Sequence, residues 1–174
     1  MQFDLEFYKE EFNTLMSKGN KDKFFIRESN DTFKIKKFLI KSQDSFKLVD
    51  YIKKSQEEAK NYWIITICYY IMLYAAKAAI LSKGYETDDH YATQIALGYL
   101  LIPNEMQAED LALLNQAYKI FNEEYIDYFE DARKESRTSR YSATKVYAER
   151  RVEEIYSKSQ QFLIKILDVL REWQ

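Results

Sequence analysis

Punctuation is scarce in this sequence. Three glycines and one proline in 174 residues are too few for a chain that reverses at many tight β-turns, which leaves a helical class. A single cysteine, Cys68, excludes an internal disulfide; it lies in an apolar run, so a structural thiol in a reduced, cytoplasmic setting is expected. The single histidine, His90, excludes a multi-histidine metal site and the H-E-x-x-H pair, and no glycine-rich phosphate loop occurs. No metal, no cofactor and no catalytic residue is therefore assigned. Charge of one sign is not in excess either. With 26 Lys and Arg against 28 Asp and Glu, a general nucleic-acid coat protein is excluded but a local basic patch is not. The acidic opening "MQFDLEFYKEEF" lacks a basic region followed by an apolar core, so no secretory signal is expected.

What is present is apolar and aromatic. Hydrophobic residues make up 47% and charged residues 31% of a chain of single-domain length, the balance of an ordinary globular protein. The uncharged stretch "NYWIITICYYIMLYAA", residues 61–76, falls short of the roughly 18–20 apolar residues of a membrane span. Its four tyrosines also fit a bilayer centre poorly. It reads as a buried central helix, with no membrane partner, and Trp63, Ile67, Ile71 and Tyr74 are expected to be covered by the two C-terminal helices.

Along the chain, Phe3, Phe7, Phe12 and Leu15 predict an amphipathic helix over 3–17, ended near Gly19. Residues 21–41 lean helical. They also admit two short strands, "KFFIR" and "FKIKKFLI", joined by the turn-like "ESND", or a loop leading into a helix. A helix is expected from Ser42 as its cap, with Phe46, Val49 and Ile52 inward. Asn61 is expected to cap the apolar helix, which runs to Lys83 and stops at Gly84. "YETDDHY" is expected as a loop, with His90 in ordinary hydrogen bonding or capping, before a short helix from Asp89 to Leu101 closed by Pro103. Leu111, Leu114, Tyr118, Phe121, Tyr125, Tyr128 and Ala132 recur every three or four residues, as do Val152, Ile155, Tyr156, Ser159, Phe162, Leu163, Ile166, Val169, Leu170 and Trp173. These predict an antiparallel pair. The expected fold is all-α, an antiparallel up-and-down helical bundle over 41–174 with an N-terminal helical extension over 1–40.

Charge is sharply segregated where that pair joins. "ARKESRTSRYSATKVYAERR", residues 132–151, carries seven basic residues against Glu135 and Glu149, whereas residues 104–131 carry eight acidic residues against Lys119 alone. Arg133, Arg137 and Arg140, with Tyr141, gather where one helix ends and the next begins. Free N–H groups and the helix dipole favour anions there, and the guanidinium fork suits phosphate. An equally physical alternative is that Arg133 and Lys134 offset the dipole of the acidic helix while Arg137 and Arg140 pair with its carboxylates. The sequence leaves both open.

Three segments resemble the HEPN domain family, small all-α proteins that occur in prokaryotes beside minimal nucleotidyltransferases. They are "KSQDSFKLVDYIKKS" (41–55), "NYWIITICYYIMLYAAKAAILSKGYET" (61–87) and "ARKESRTSRYSA" (132–143). The resemblance implies a homodimer, a nucleotidyltransferase partner, and nucleotide or RNA as ligand. In active members it further implies a metal-independent, toxin-type ribonuclease site, an arginine followed after four to six residues by a histidine, two copies meeting across the dimer cleft. This chain departs from that pattern, because no histidine follows His90: Arg137 is followed by Tyr141 with three residues between, and Arg140 by Tyr147 with six between. Tyrosine is a poor general base near neutral pH. The resemblance thus implies phosphate binding at Arg133, Arg137, Arg140 and Tyr141. The alternatives are a ribonuclease using arginine with tyrosine, and a non-binding helical adaptor.

Overall fold

The computed structural model describes the backbone of residues 3–19, 24–55, 60–102, 104–133 and 141–173, and the side chains of those residues outside 124–148. Among the described residues six helices carry the fold: α1 Leu5–Ser17, α2 Thr32–Lys53, α3 Lys60–Ser82, α4 His90–Leu100, α5 Ala108–Arg133 and α6 Tyr141–Val169. A 3-10 turn, Arg171–Trp173, follows α6, and two three-residue strands, β1 Ile26–Glu28 and β2 Tyr85–Thr87, pair antiparallel. The chain is all-α, as the glycine and proline shortage predicts.

The core is built around α3. Its middle and C-terminal half, from Cys68 and Tyr69 through Ala75, Ala76, Ala78 and Ala79 to Ile80, is buried, and the small residues let neighbouring helices approach closely. Val49 of α2, Leu111 and Leu114 of α5, and Ile155, Phe162 and Ile166 of α6 close over it. α3 is longer than the uncharged run alone indicates. By length and composition it passes for a membrane span, yet 67% of its most apolar window is buried inside the protein.

Several expectations are corrected. α2 begins ten residues before Ser42: Asp31 is the cap, its carboxylate accepting from Lys34 N–H at 3.2 Å. Ser42 is fully buried in mid-helix and donates to the Ile71 carbonyl at 2.8 Å, tying α2 to α3. The 21–41 ambiguity resolves as strand then helix. The β partner of "KFFIR" is not "FKIKKFLI" but the supposed loop, with Arg27 opposite Glu86 and joined to it at 2.7 Å. Asn61 lies inside α3 rather than capping it, since the helix already runs at Lys60. Trp63 is 54% exposed, not covered, because it shares an outward face of α3 with Tyr70, seven residues on, which the other helices leave open. Ile71, about a quarter turn round the helix from that face, is buried; Ile67 and Tyr74 are half-buried.

Other expectations hold. Gly84 ends α3 in the left-handed region, φ 85°, where a side chain would be strained, and its N–H bonds the Leu81 carbonyl at 2.9 Å. Asp89 caps α4, accepting from Ala92 N–H at 2.8 Å. Pro103, expected to close that helix, lies outside the described residues. The boundary expected between residues 40 and 41 falls within α2, and Phe12, Leu15, Ile26 and Ile35 join the same buried cluster as α3.

Candidate functional site: the α5–α6 end of the bundle

Among the described residues an ion pair bridges the antiparallel pair α5–α6. Arg151, with its side chain 12% exposed, meets Glu123 at 2.7 Å. Counting ten residues from Glu123 reaches Arg133, the last residue of α5, and ten back from Arg151 reaches Tyr141, the first of α6. Both helices therefore run about 15 Å beyond that bridge at 1.5 Å per residue. These two helix ends flank the arginine-rich junction. Of the residues singled out there, Arg137 and Arg140 lie outside the described residues, and so do the side chains of Arg133 and Tyr141.

Beside the start of this overhang lies a polar cleft of about 330 Å³, lined by Lys53, Lys60, Asn61, Ile64, Glu149, Val152 and Glu153. Lys53 reaches Glu153 at 3.0 Å and stands 3.8 Å over the Tyr156 ring. Tyr156 donates to the Asp50 carboxylate at 2.6 Å. That bond, with a little burial, pushes its phenol up to about 12. The cleft thus offers committed cations, and the tyrosine beside Lys53 is locked in its neutral form, which makes this a poor acid–base centre. Cys68 is fully buried and its thiol is pushed up to about 12 by desolvation, so no thiolate is available at neutral pH. Among the described residues no cluster of His, Cys, Asp and Glu has the makings of a metal site.

His90 sits far along the sequence from the junction and is held in an aromatic nest. Its ring stacks on Tyr118 with centroids 3.6 Å apart, and its Nδ1 lies 3.2 Å from the Tyr69 hydroxyl. Burial pushes its pKa down to about 4, outweighing the nearby Asp89 carboxylate. Burial likewise raises Tyr69. The pair is neutral at pH 7 and serves packing. Sequence reasoning placed His90 at a helix start but missed its two tyrosine partners, which lie 21 and 28 residues away. Only Tyr118 was marked, by its helical spacing on an apolar face; nothing in the sequence marked Tyr69 as a partner.

The model of the HEPN domain matches residues 42–169. This chain belongs to the HEPN domain family. Neither curated proteins nor solved structures give a match to it. Family membership gives the chain a nucleotide- or RNA-related role in general terms. The HEPN match takes in the whole of α3, α5 and α6 but only the second half of α2. It begins at Ser42, the buried serine that bonds α3. In this HEPN protein the only histidine is the one packed between Tyr69 and Tyr118.

Proposed function

We propose that this HEPN protein is a dimeric module that binds nucleotide or RNA phosphate at Arg133, Arg137, Arg140 and Tyr141, working beside a minimal nucleotidyltransferase. The observation that carries the reading is the overhang. The two helix ends flanking a junction with a local charge of +5 run about 15 Å past the Arg151–Glu123 bridge. Arginines beside a helix N-terminus in such a position suit a phosphate-bearing chain. The absence of a histidine after His90 argues for binding without turnover.

A structural role for the basic stretch has one observation in its favour. Arg151, which belongs to that stretch, does pair with the acidic helix. The double variant Arg137→Ala/Arg140→Ala separates the two. On the binding reading, affinity for a labelled single-stranded RNA falls, the log–log salt slope flattens by roughly 0.7 per lost contact, and the melting temperature stays put. On the structural reading, the melting temperature falls and affinity is unchanged; that outcome sinks the proposal. Incubating wild type with single-stranded RNA and no metal should leave the RNA intact, and cleavage would instead favour the arginine–tyrosine ribonuclease.

A further inference from the structure

Several cations among the described residues are held by carboxylates. Arg27 and Lys34 share Glu86, Lys47 pairs with Asp44, Lys53 with Glu153, Lys158 with Glu154 and Arg171 with Asp168. The first half of α2 is different. From Thr32 to Gln43 it carries Lys34, Lys36, Lys37 and Lys41 and no acidic residue. Lys36, Lys37 and Lys41 are exposed and meet no carboxylate among the described residues; Lys41 stands 4.1 Å over the Tyr74 ring. Between them two large apolar side chains face water, Phe33 at 74% and Ile40 at 57% exposure. Seven residues apart, they form one stripe with Lys36 and Lys37 on either side. Beside the stripe a groove of about 290 Å³, lined by Lys36, Leu39, Ile40, Gln43 and Trp173, brings an indole next to a lysine.

Unpaired lysines attract an anion, and the exposed phenyl ring with a groove-side indole suits flat apolar partners. A single-stranded nucleic acid supplies both, phosphates at intervals and bases with π-faces. We propose that the α2 face formed by Phe33, Lys36, Lys37, Ile40 and Lys41, with Trp173, is a second contact surface for single-stranded RNA. It leads along α2 toward the α5–α6 junction: the far end of α2, at Lys53, is bridged to Glu153 of α6. The direction of the path rests on the junction reading; the surface itself does not.

Exposed lysines can be removed without touching the core, so the test is Lys36→Ala/Lys37→Ala/Lys41→Ala. Binding of fluorescein-labelled 15-residue oligouridine and oligoadenine is followed by anisotropy at several salt concentrations. The triple variant should flatten the log–log salt slope by roughly 2, from three contacts at about 0.7 each, with an unchanged melting curve. Phe33→Ala should weaken binding about fivefold or more with the slope kept, as loss of a stacking platform does. In a Trp63→Phe background, Trp173 fluorescence should be quenched by RNA. Loss of slope in the α2 variant but not in Arg137→Ala/Arg140→Ala supports this surface and overturns the junction; the reverse overturns this surface alone. Wild type that binds no oligonucleotide overturns both. Two further outcomes overturn the α2 proposal. One is RNA binding unchanged while Phe33→Ala/Ile40→Ala shifts the mass in light scattering, which assigns the face to a second copy. The other is flotation on phosphatidylserine vesicles without RNA binding, which assigns it to a lipid surface.

Discussion

A half-buried imidazole that cannot hold its proton makes stability depend on pH in a defined window. His90 in the folded protein has its pKa pushed down to about 4, below the ordinary value near 6.5. As pH falls below about 6.5 the unfolded chain gains a proton that the folded chain refuses, so stability present above that value is lost progressively toward pH 4. A shift of this size corresponds to at most about 3 kcal/mol, and partial solvent access to the ring brings the expected figure nearer 1–2 kcal/mol. His90→Gln should therefore melt with less pH dependence than wild type between pH 6.5 and 5, above the carboxylate range. Equal slopes by calorimetry would show that the ring is open to water. Little of this residue chemistry was legible in the sequence. The spacing of Tyr118 marks it as inward-facing, but that it converges with Tyr69 on His90 is decided by how α3, α4 and α5 pack.

At the level of elements, α1 and α4 meet through a missing side chain. Gly98 of α4 lies directly under the Tyr8 ring of α1, and a methyl group there would overlap ring atoms. Tyr8 has little room to retreat, since Phe3 stacks on it at 5.0 Å and Phe7 meets its edge at 5.4 Å. Gly98→Ala gains up to about 1 kcal/mol of helix propensity but forces overpacking that costs about 1–3 kcal/mol. The expected result is a net loss of about 1–2 kcal/mol in urea unfolding. In a Tyr8→Ala background the same change should be neutral or stabilising, and a loss that persists there would place the strain elsewhere. Helices were the legible elements: α5 and α6 follow their apolar periodicity, and in α1 Phe12 and Leu15 turn inward as expected while Phe7 is exposed. The strands were not legible, because three residues are too few to display a period, and "YET" reads as a loop until "IRE" is laid beside it. Ser42 misled for a related reason. Serine is both a cap and a buried donor, and only the Ile71 carbonyl 29 positions away tells which.

For the whole molecule, the open face of α3 matters most. Trp63 at 54% and Tyr70 at 37% exposure sit on one side of an otherwise buried helix, and large exposed aromatics of that kind are typical of surfaces that another chain covers. A homodimer burying them should give twice 20.9 kDa by light scattering at tens of micromolar, and Trp63→Asp with Tyr70→Asp should return it to the monomer mass. Wild type at the monomer mass would refute the dimer. The candidate site itself was legible only as a charge pattern. Arg133, Arg137, Arg140 and Tyr141 stand out by composition, and the register of α5 against α6 adds where their flanking helices end.

The docking of α1 onto α4 also sets an order of events during synthesis. Tyr8 is made 90 residues before Gly98, and at roughly 5–20 residues per second that is a delay of about 5–18 s. The strand Ile26–Glu28 waits similarly for Tyr85–Thr87. During that interval Phe12 and Leu15, buried in the finished protein, have nothing to bury against. The stretch of chain that leaves the ribosome before the bundle thus waits for α4 before it can find its place. It stays open to chaperones and proteases through that interval, and slowing elongation lengthens that exposure in direct proportion.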